Sequence, residues 1–257
     1  MDKPEIGLKP REIGLILLIT LAVYISFMLF SSFLDETLAL LLGEIIVIVP
    51  ALVYIFVRRL SVFKIFRFRR FNFSQLVATI FLFIPLYILT DELDRIVQAV
   101  FPMPPDWHET MFEQVQFHSV QGAAIILLAG VVFAALCEEM FFRGLLQGAL
   151  ESFQKPVIAI VLSSIVFAFF HFNPWMFFQL FILGTVLGYT AWKSGTILPA
   201  IWLHALNNLM SLIMINSEDF GDWYIKSDHV NLVWLAGAVV LILPAIALFN
   251  RTHNKIK

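Results

Sequence analysis

A group of ionisable and amide side chains lies within stretches of sequence that are otherwise apolar. Its members are Glu138, Glu139, Arg143, His171, His204, Asn207 and Asn208. A charged group inside a membrane-spanning helix costs about 2.5–3.5 kcal/mol on insertion scales, so such groups usually serve a function. A carboxylate and an imidazole together can act as a general base on water. An imidazole and a carboxamide supply the two hydrogen-bond donors that an oxyanion requires. The group therefore indicates hydrolysis of an amide bond by activated water.

The spacing of these residues distributes them over the faces of predicted helices. Glu139 and Arg143 are four residues apart, so they share a helix face and are expected to form a supporting ion pair. Glu138 lies about 100° further round the same helix and is expected to point into the bundle interior. His204 and Asn208 are also four residues apart and share one face.

The same residues leave the cofactor open. Glu138, His171 and His204 could hold a divalent metal such as zinc, or they could act on water with no cofactor. The sequence contains no His-Glu-x-x-His motif, so the helix of a standard zinc protease is excluded. Cys137 precedes Glu138, and we interpret this lone cysteine as a packing residue and not as a nucleophile.

The composition places the chain in a membrane. Of its 257 residues 60% are hydrophobic and 14% are charged, against about 45–50% and about 25% in soluble domains. This balance excludes a disordered chain and an ordinary soluble globule. The net charge of −2 gives no reason to expect nucleic acid as a partner. The expected partners are membrane lipids and a peptide or protein substrate.

Crossing a bilayer takes about 20 mostly apolar residues in a helix. The segments that qualify are residues 13–33, 38–57, 74–90, 121–150, 157–173, 176–192, 197–215 and 232–249. The sequence therefore predicts an all-α, polytopic membrane protein with about eight transmembrane helices. At a rise of about 1.5 Å per residue, Glu138, His171 and His204 are expected at overlapping depths.

We expect one membrane domain over residues 1–257. Its parts are accessory N-terminal spans in 1–120, a catalytic core in 121–215, and the last span and tail in 216–257. The longest outer connection, residues 91–120, is expected to be either a lid or a simple loop.

The basic residues predict the orientation of the chain. Lys and Arg concentrate in cytoplasmic loops. With eight spans and a cytoplasmic N-terminus, only Arg95 and Lys226 of the 17 Lys and Arg residues lie outside. We expect a multi-pass plasma-membrane protein of bacterial type with both termini in the cytoplasm. The basic and aromatic segment 58–73 would lie at the inner leaflet, where it contacts anionic lipid or only fixes the topology.

Three short motifs resemble those of a known family. Residues 138–143 match Glu-Glu-x-x-x-Arg, residues 167–171 match Phe-x-x-x-His, and residues 204–208 match His-x-x-x-Asn. In this order, on neighbouring spans, they resemble the CPBP family of intramembrane proteases, also known as the CAAX-protease and bacteriocin-processing, or Abi, family. The resemblance covers roughly residues 121–215.

The resemblance implies a role for each residue. Glu138 with His171 would activate the water, and His204 with Asn208 would stabilise the oxyanion. Glu139 and Arg143 would be a supporting pair. The family is described both with a metal and as a glutamate-type protease without one, so the resemblance leaves the cofactor open.

The leading hypothesis is an intramembrane endopeptidase acting on a peptide precursor or a membrane-associated protein, with CAAX-type processing as one option. A second hypothesis is a non-catalytic protein for self-immunity against bacteriocins, or a scaffold. A third is a proton-coupled transporter, because buried Glu and His side chains also build proton relays. No inverted repeat supports a transporter.

Overall fold

The structure is a computed structural model that describes residues 8–71, 73–217 and 223–253. Helices dominate it. In chain order they are α1 (Pro10–Ser31), α2 (Glu36–Ile46), α3 (Val49–Val57), α4 (Val62–Ile65), α5 (Phe73–Val100), α6 (Pro105–Glu113), α7 (Val120–Phe153), α8 (Pro156–Phe170), α9 (Phe177–Ser194), α10 (Leu198–Asn216) and α11 (Leu232–His253). Two short strands, β1 (Ile225–Lys226) and β2 (His229–Val230), pair antiparallel before α11.

The protein is an all-α polytopic membrane protein, as the sequence predicts, and each predicted apolar segment is helical. Within the described residues, five helices are long and apolar enough to cross a membrane, namely α1, α5, α7, α10 and α11. α2 and α3 add a sixth span if the two are taken as one span bent by 40°. α8 is apolar but shorter. The number of eight spans stays a prediction.

The second predicted span, residues 38–57, is broken between α2 and α3. Pro50 lies in the first turn of α3. Proline lacks a backbone N–H, and its ring clashes with the carbonyl four residues earlier, so α2 ends before it. α2 begins at a regular N-cap, where the carboxylate of Asp35 accepts hydrogen bonds from the backbone N–H groups of Thr37 and Leu38. The Thr37 hydroxyl group, with these N–H groups, lowers the pKa of Asp35.

The third predicted span, residues 74–90, continues as α5 to Val100. The prediction ended the span where charged residues begin, since charges are costly inside a membrane. In the structure these charges have partners, and Arg95 Nε lies 3.3 Å from Asp91 Oδ2 on the next turn. The connection between α5 and α7 therefore starts after Val100, and it contains the short helix α6.

The β-hairpin before α11 is bound to the end of α5. Glu92 accepts hydrogen bonds from Val230 N and from the His229 ring, each at 2.8 Å. Burial and the nearby Asp91 carboxylate raise the pKa of Tyr224. Tyr224 therefore stays a phenol and donates a hydrogen bond to Asp91 at 3.0 Å. These contacts keep the end of α5 next to the start of α11.

α7 lies at the centre of the helix bundle. It contacts α2, α8, α9 and α10, while α5 packs along α11. Only 17% of the most apolar 18-residue window of α1 and of α11 is buried inside the protein, against 50% for α5. The large apolar side chains of α1 and α11 therefore remain free to contact lipid, and the polar residues of α7 lie away from it.

Part of the basic segment 58–73 lies inside the protein. Arg67 is only 5% exposed, and its Nη1 donates a hydrogen bond to Glu151 Oε1 at 3.2 Å. The segment reaches this depth because Gly144 leaves room for it. A Cβ atom at Gly144 would lie 2.8 Å from the Phe66 Cα.

Candidate active site

The polar residues singled out in the sequence come together at one cavity in the bundle. The cavity has a volume of about 350 Å³. The residues of that set that line it are Glu138, His171, His204, Asn207 and Asn208. Glu139 and Arg143 are fully buried behind it. Three helices that are separate in sequence, α7, α8 and α10, therefore contribute to a single site.

Glu138 lies between two imidazole rings. Its Oε2 atom is 3.9 Å from His171 Nε2 and 3.9 Å from His204 Nε2. Both distances exceed that of a direct hydrogen bond. The same Oε2 atom is buried and accepts no hydrogen bond from the described residues. A buried carboxylate oxygen in this condition needs a partner from outside the protein, such as water or a substrate.

Both imidazole rings are held through the nitrogen that faces away from Glu138. His171 Nδ1 is 2.8 Å from the Phe167 carbonyl oxygen, which only accepts, so Nδ1 carries the hydrogen. His204 Nδ1 is 2.9 Å from Glu139 Oε1. An ionised carboxylate also only accepts, so this Nδ1 donates too. The Nε2 atom of each ring is therefore the one available for chemistry at Glu138.

Phe167 explains the phenylalanine in the Phe-x-x-x-His motif. The ring is fully buried and packs edge-on against His171, with centroids 4.7 Å apart, and against His204, at 5.9 Å. The Arg143 guanidinium group lies 4.2 Å from the centroid of the same ring. One aromatic side chain thus fixes both imidazoles and contacts the cation behind them.

Glu139, in contrast to its neighbour, has two donors within hydrogen-bond distance. Its Oε1 atom accepts from Arg143 Nη1 at 2.7 Å and from His204 Nδ1 at 2.9 Å. Arg143 Nη2 donates in turn to the Gly184 carbonyl oxygen at 3.2 Å. Neither side chain of the ion pair is exposed. This arrangement orients the His204 ring.

Asn208 is positioned by an irregular turn of α7. Residues Leu128–Phe133 are π-helical, so the Ala134 N–H bonds to the Ala129 carbonyl and not to that of Gly130. The freed Gly130 carbonyl accepts from Asn208 Nδ2 at 2.8 Å. A π-helical turn releases carbonyl groups from the helix in this way, and it is often found at functional sites. One N–H of the Asn208 amide remains free to face the cavity.

A second π-helical stretch, Met140–Gln147, follows Glu139 directly. Here Ser163 of α8 donates its hydroxyl group to the Phe142 carbonyl at 2.9 Å. Further along, Gln147 Nε2 donates to Glu151 Oε1 at 2.8 Å and to the Gly188 carbonyl at 2.9 Å. These contacts bind α7 to α8 and α9 below the site and keep its polar face in register.

The donor set does not have the geometry of a zinc site. In a tetrahedral zinc site with bonds of about 2.0–2.2 Å, neighbouring ligand atoms lie about 3.3 Å apart. The distances of 3.9 Å from Glu138 to each imidazole are wider. No group of three or more His, Cys, Asp or Glu side chains suited to a metal occurs in the part of the chain that the structure describes.

The remaining cavity wall is mostly apolar, and several elements outside the motifs contribute to it. Met111 and Phe112 of α6, with Val115 after it, line the cavity. This part of the outer connection is held in place where Asn216 Nδ2 donates to the Val115 carbonyl at 3.0 Å. The structure thus places part of segment 91–120 against the cavity.

Glu44 of α2 also lines the cavity, and the motifs give no sign of it. Its position in an apolar segment is the only signal that the sequence offers. Cys137 is buried and is not among the residues that line the cavity. This position agrees with a packing role.

These features define a polytopic membrane protein with a polar site of carboxylate, imidazole and amide groups inside its helix bundle. Residues 120–210 match a family described as Type II CAAX prenyl endopeptidase Rce1-like. This match to a family of CAAX-type proteases confirms the resemblance that the three motifs predict. No curated protein and no solved structure matches the chain.

Proposed function

We propose that the chain is an intramembrane endopeptidase that hydrolyses a peptide bond with a water activated by Glu138 and His171. One observation carries the proposal. Glu138 Oε2 is buried without a hydrogen bond from the described residues, and it faces two imidazole Nε2 atoms at equal distances of 3.9 Å. The match of residues 120–210 to a family of CAAX prenyl endopeptidases supports the same reaction class.

The water lies beside Glu138 and His171. Two atoms that are 3.9 Å apart can both reach one water oxygen at about 2.8 Å if it lies to the side of the line between them. One O–H of this water donates to Glu138 and the other to His171 Nε2. As the water oxygen bonds to the peptide carbonyl carbon, the Glu138 carboxylate takes its proton.

His204 and Asn208 receive the negative charge that develops on the carbonyl oxygen. For this role the His204 ring carries a hydrogen on each nitrogen, so that Nδ1 donates to Glu139 and Nε2 donates to the oxyanion in the cavity. Asn208 offers the amide N–H that Gly130 does not use. The protonated Glu138 then passes its proton to the leaving nitrogen as the C–N bond breaks, which yields a carboxylic acid and an amine.

The substrate is a peptide or a membrane-associated protein, with a prenylated CAAX sequence as the first candidate. The family description names a CAAX prenyl endopeptidase, and the apolar part of the cavity wall suits an apolar side chain or a lipid group. By the distribution of Lys and Arg, both termini lie in the cytoplasm.

The test is cleavage by the purified full-length protein in lipid. Two probes are used, a broad peptide library and a farnesylated peptide that ends in a CAAX sequence, and mass spectrometry detects the products. The variants are Glu138→Gln and, as a matched control, Glu36→Gln, which changes an exposed carboxylate on α2. A chelator arm tests zinc, since the predicted ligands Glu138, His171 and His204 would lose it.

Cleavage by the wild type and by Glu36→Gln, but not by Glu138→Gln, is the expected result. Cleavage that persists in Glu138→Gln would overturn the assignment of the base. If correctly folded wild type cleaves neither probe, the alternative of a non-catalytic immunity or scaffold protein takes precedence. Proton flux across vesicles without cleavage would instead favour the transporter alternative.

A further inference from the structure

Gln179 is a polar residue of the cavity wall that the proposed reaction does not use. It lies in the first turn of α9 and lines the same cavity as Glu138 and His171. Its side-chain Oε1 atom is buried and has no hydrogen-bond partner within the described residues. A buried polar atom without a partner costs free energy, so its presence in a folded protein requires an explanation.

The neighbours of Gln179 in the cavity wall are apolar. Met176, Leu180 and Leu183 line the cavity from the same part of the chain. Residues three or four positions apart share one face of a helix, so this part of α9 gives the cavity an apolar face with a single amide in it. Ligand sites are commonly built in this way, mostly apolar with a few polar groups that orient the ligand.

The chemistry of the carboxamide favours a binding role over a catalytic one. A carboxamide does not ionise in water, so Gln179 takes no part in the proton transfers. It offers an acceptor oxygen and N–H donors, which are the groups that complement a peptide bond. A peptide inside a membrane-embedded bundle needs such partners for its own N–H and C=O groups, because lipid and apolar side chains offer none. The cavity volume of about 350 Å³ is at the lower end of the usual range for ligand sites, so a bound peptide segment contacts much of the wall.

We propose that Gln179 is a substrate-binding residue, whose Oε1 atom accepts a hydrogen bond from a main-chain N–H of the peptide that occupies the cavity. The inference rests on the proposed function, since it requires a peptide substrate at Glu138. The bond does not involve a side chain of the substrate, so it orients the backbone of any peptide in the site. It is made equally in the ground state and in the transition state, and it therefore lowers KM and leaves kcat unchanged.

Gln179→Leu tests this role, because it removes the amide at similar volume. The matched control is Gln121→Leu, which makes the same change at an exposed position near the start of α7. With the farnesylated CAAX peptide or the best library peptide, we expect Gln179→Leu to raise KM by about 5–30-fold with little change in kcat, since a substrate N–H is left without a partner. Gln121→Leu should match the wild type. A lower kcat with an unchanged KM in Gln179→Leu would overturn the inference.

A binding measurement identifies the hydrogen bond itself. It is made in the Glu138→Gln background, so that the bound peptide is not cleaved. The probes are the farnesylated CAAX peptide and the library peptide that this protein retains most tightly, each with one peptide N–H at a time replaced by an ester oxygen. We expect one ester analogue to bind about 5–30-fold more weakly than its parent, and we expect this difference to disappear when Gln179→Leu is added. The same loss with and without Gln179→Leu at every position would overturn the inference.

Thermal unfolding without substrate distinguishes a binding role from a packing role. An amide oxygen without a partner does not stabilise the free protein, and its replacement by an apolar group in an apolar wall is neutral or stabilising. We therefore expect the unfolding midpoint of Gln179→Leu to equal or exceed that of the wild type. A midpoint below that of Gln121→Leu would show that the amide has a structural partner, and it would overturn the inference.

The readouts distinguish a failure of this inference from a failure of the proposed function. If the wild type cleaves and Gln179→Leu has the same KM as Gln121→Leu, the binding role is wrong and the proposed function stands. If the wild type cleaves neither probe but the ester analogues show the difference that depends on Gln179, the proposed function fails while the binding role stands. If neither probe binds or is cleaved, both proposals fail.

Discussion

Glu138 and Glu139 are neighbours on one helix, yet their surroundings are opposite. Glu139 is fully buried and accepts hydrogen bonds from Arg143 and His204 at 2.7 and 2.9 Å. Glu138 lines a cavity, with both imidazole Nε2 atoms 3.9 Å away. A turn of about 100° around an α-helix separates a closed ion pair from an open carboxylate.

The difference indicates a structural role for Glu139 and a catalytic role for Glu138. A buried ion pair is stable only as a unit, because removal of one partner leaves a charge without compensation. A carboxylate with a free oxygen beside a cavity has unused capacity to bind a water and take its proton. A substitution at Glu139 is therefore expected to affect folding, and a substitution at Glu138 is expected to affect activity. The predictions below test this separation, from the largest effect to the smallest.

Glu139→Gln should lower the free energy of unfolding by about 3–5 kcal/mol, because it leaves the buried Arg143 without its carboxylate. The measurement is thermal or chemical unfolding of the protein in detergent. Glu138→Gln serves as the control and should unfold like the wild type. Equal stability of Glu139→Gln and the wild type would contradict the supporting role.

Asn208→Ala should lower kcat by about 10²–10³-fold, the usual effect of removing one oxyanion donor. Asn207→Ala is the matched control, because Asn207 contacts the Asn208 oxygen at 3.4 Å without the contact to Gly130. Its kcat should fall much less. The comparison uses the folded fraction of each protein with the same peptide. An equal loss of kcat in the two variants would contradict the assignment of Asn208 as an oxyanion donor.

Gly188→Ala should lower the free energy of unfolding by about 1–3 kcal/mol through overpacking. A Cβ atom there would lie 2.7 Å from Gln147 Oε1, and Gln147 is held by two hydrogen bonds. Gly237→Ala on α11 is the control, since nothing lies within 4 Å of its Cβ position. An unfolding midpoint of Gly188→Ala equal to that of Gly237→Ala would show that the α7–α9 contact accommodates the added methyl group.

Low pH should destabilise the first turn of α2, and this is the smallest of the four predicted effects. The cap lowers the pKa of Asp35 below its ordinary value of 3.8. The stabilisation is therefore present above that value and is lost as the pH falls through the lowered pKa. Amide hydrogen exchange at Thr37 and Leu38 should accelerate in that range. Asp35→Asn keeps a capping oxygen without a titrating group, so its exchange should not show this step.

Much of the fold follows from hydropathy, and its irregularities do not. Each long apolar stretch of the sequence is a helix, because a backbone in lipid must satisfy its own hydrogen bonds. The end of α5 at Val100 was missed because Asp91 and Arg95 interrupt the apolar run, and they pair only across a helical turn. The two π-helical stretches also leave no pattern, since they depend on partners such as Asn208 and Ser163 on other helices.

Part of the site could be predicted from local spacing in the sequence. The four-residue spacing of Glu139 and Arg143 predicts their contact within one helix, and the structure has it at 2.7 Å. The ion pair of Arg67 with Glu151 and the hydrogen bond from Asn208 to the Gly130 carbonyl join residues that are far apart in the sequence. Spacing rules for neighbouring residues do not predict contacts between such distant residues. For Glu44, the only signal in the sequence that it lines the cavity is its position as an acidic residue in an apolar helix.

The most direct test of the account measures cleavage and stability together in Glu138→Gln and Glu139→Gln. Both proteins are purified in lipid and assayed with the farnesylated CAAX peptide and the peptide library, and both are unfolded thermally. The account predicts that Glu138→Gln keeps the wild-type unfolding midpoint and loses cleavage, while Glu139→Gln unfolds well below it. Cleavage by Glu138→Gln at the wild-type rate would contradict the central claim that the open carboxylate activates the water.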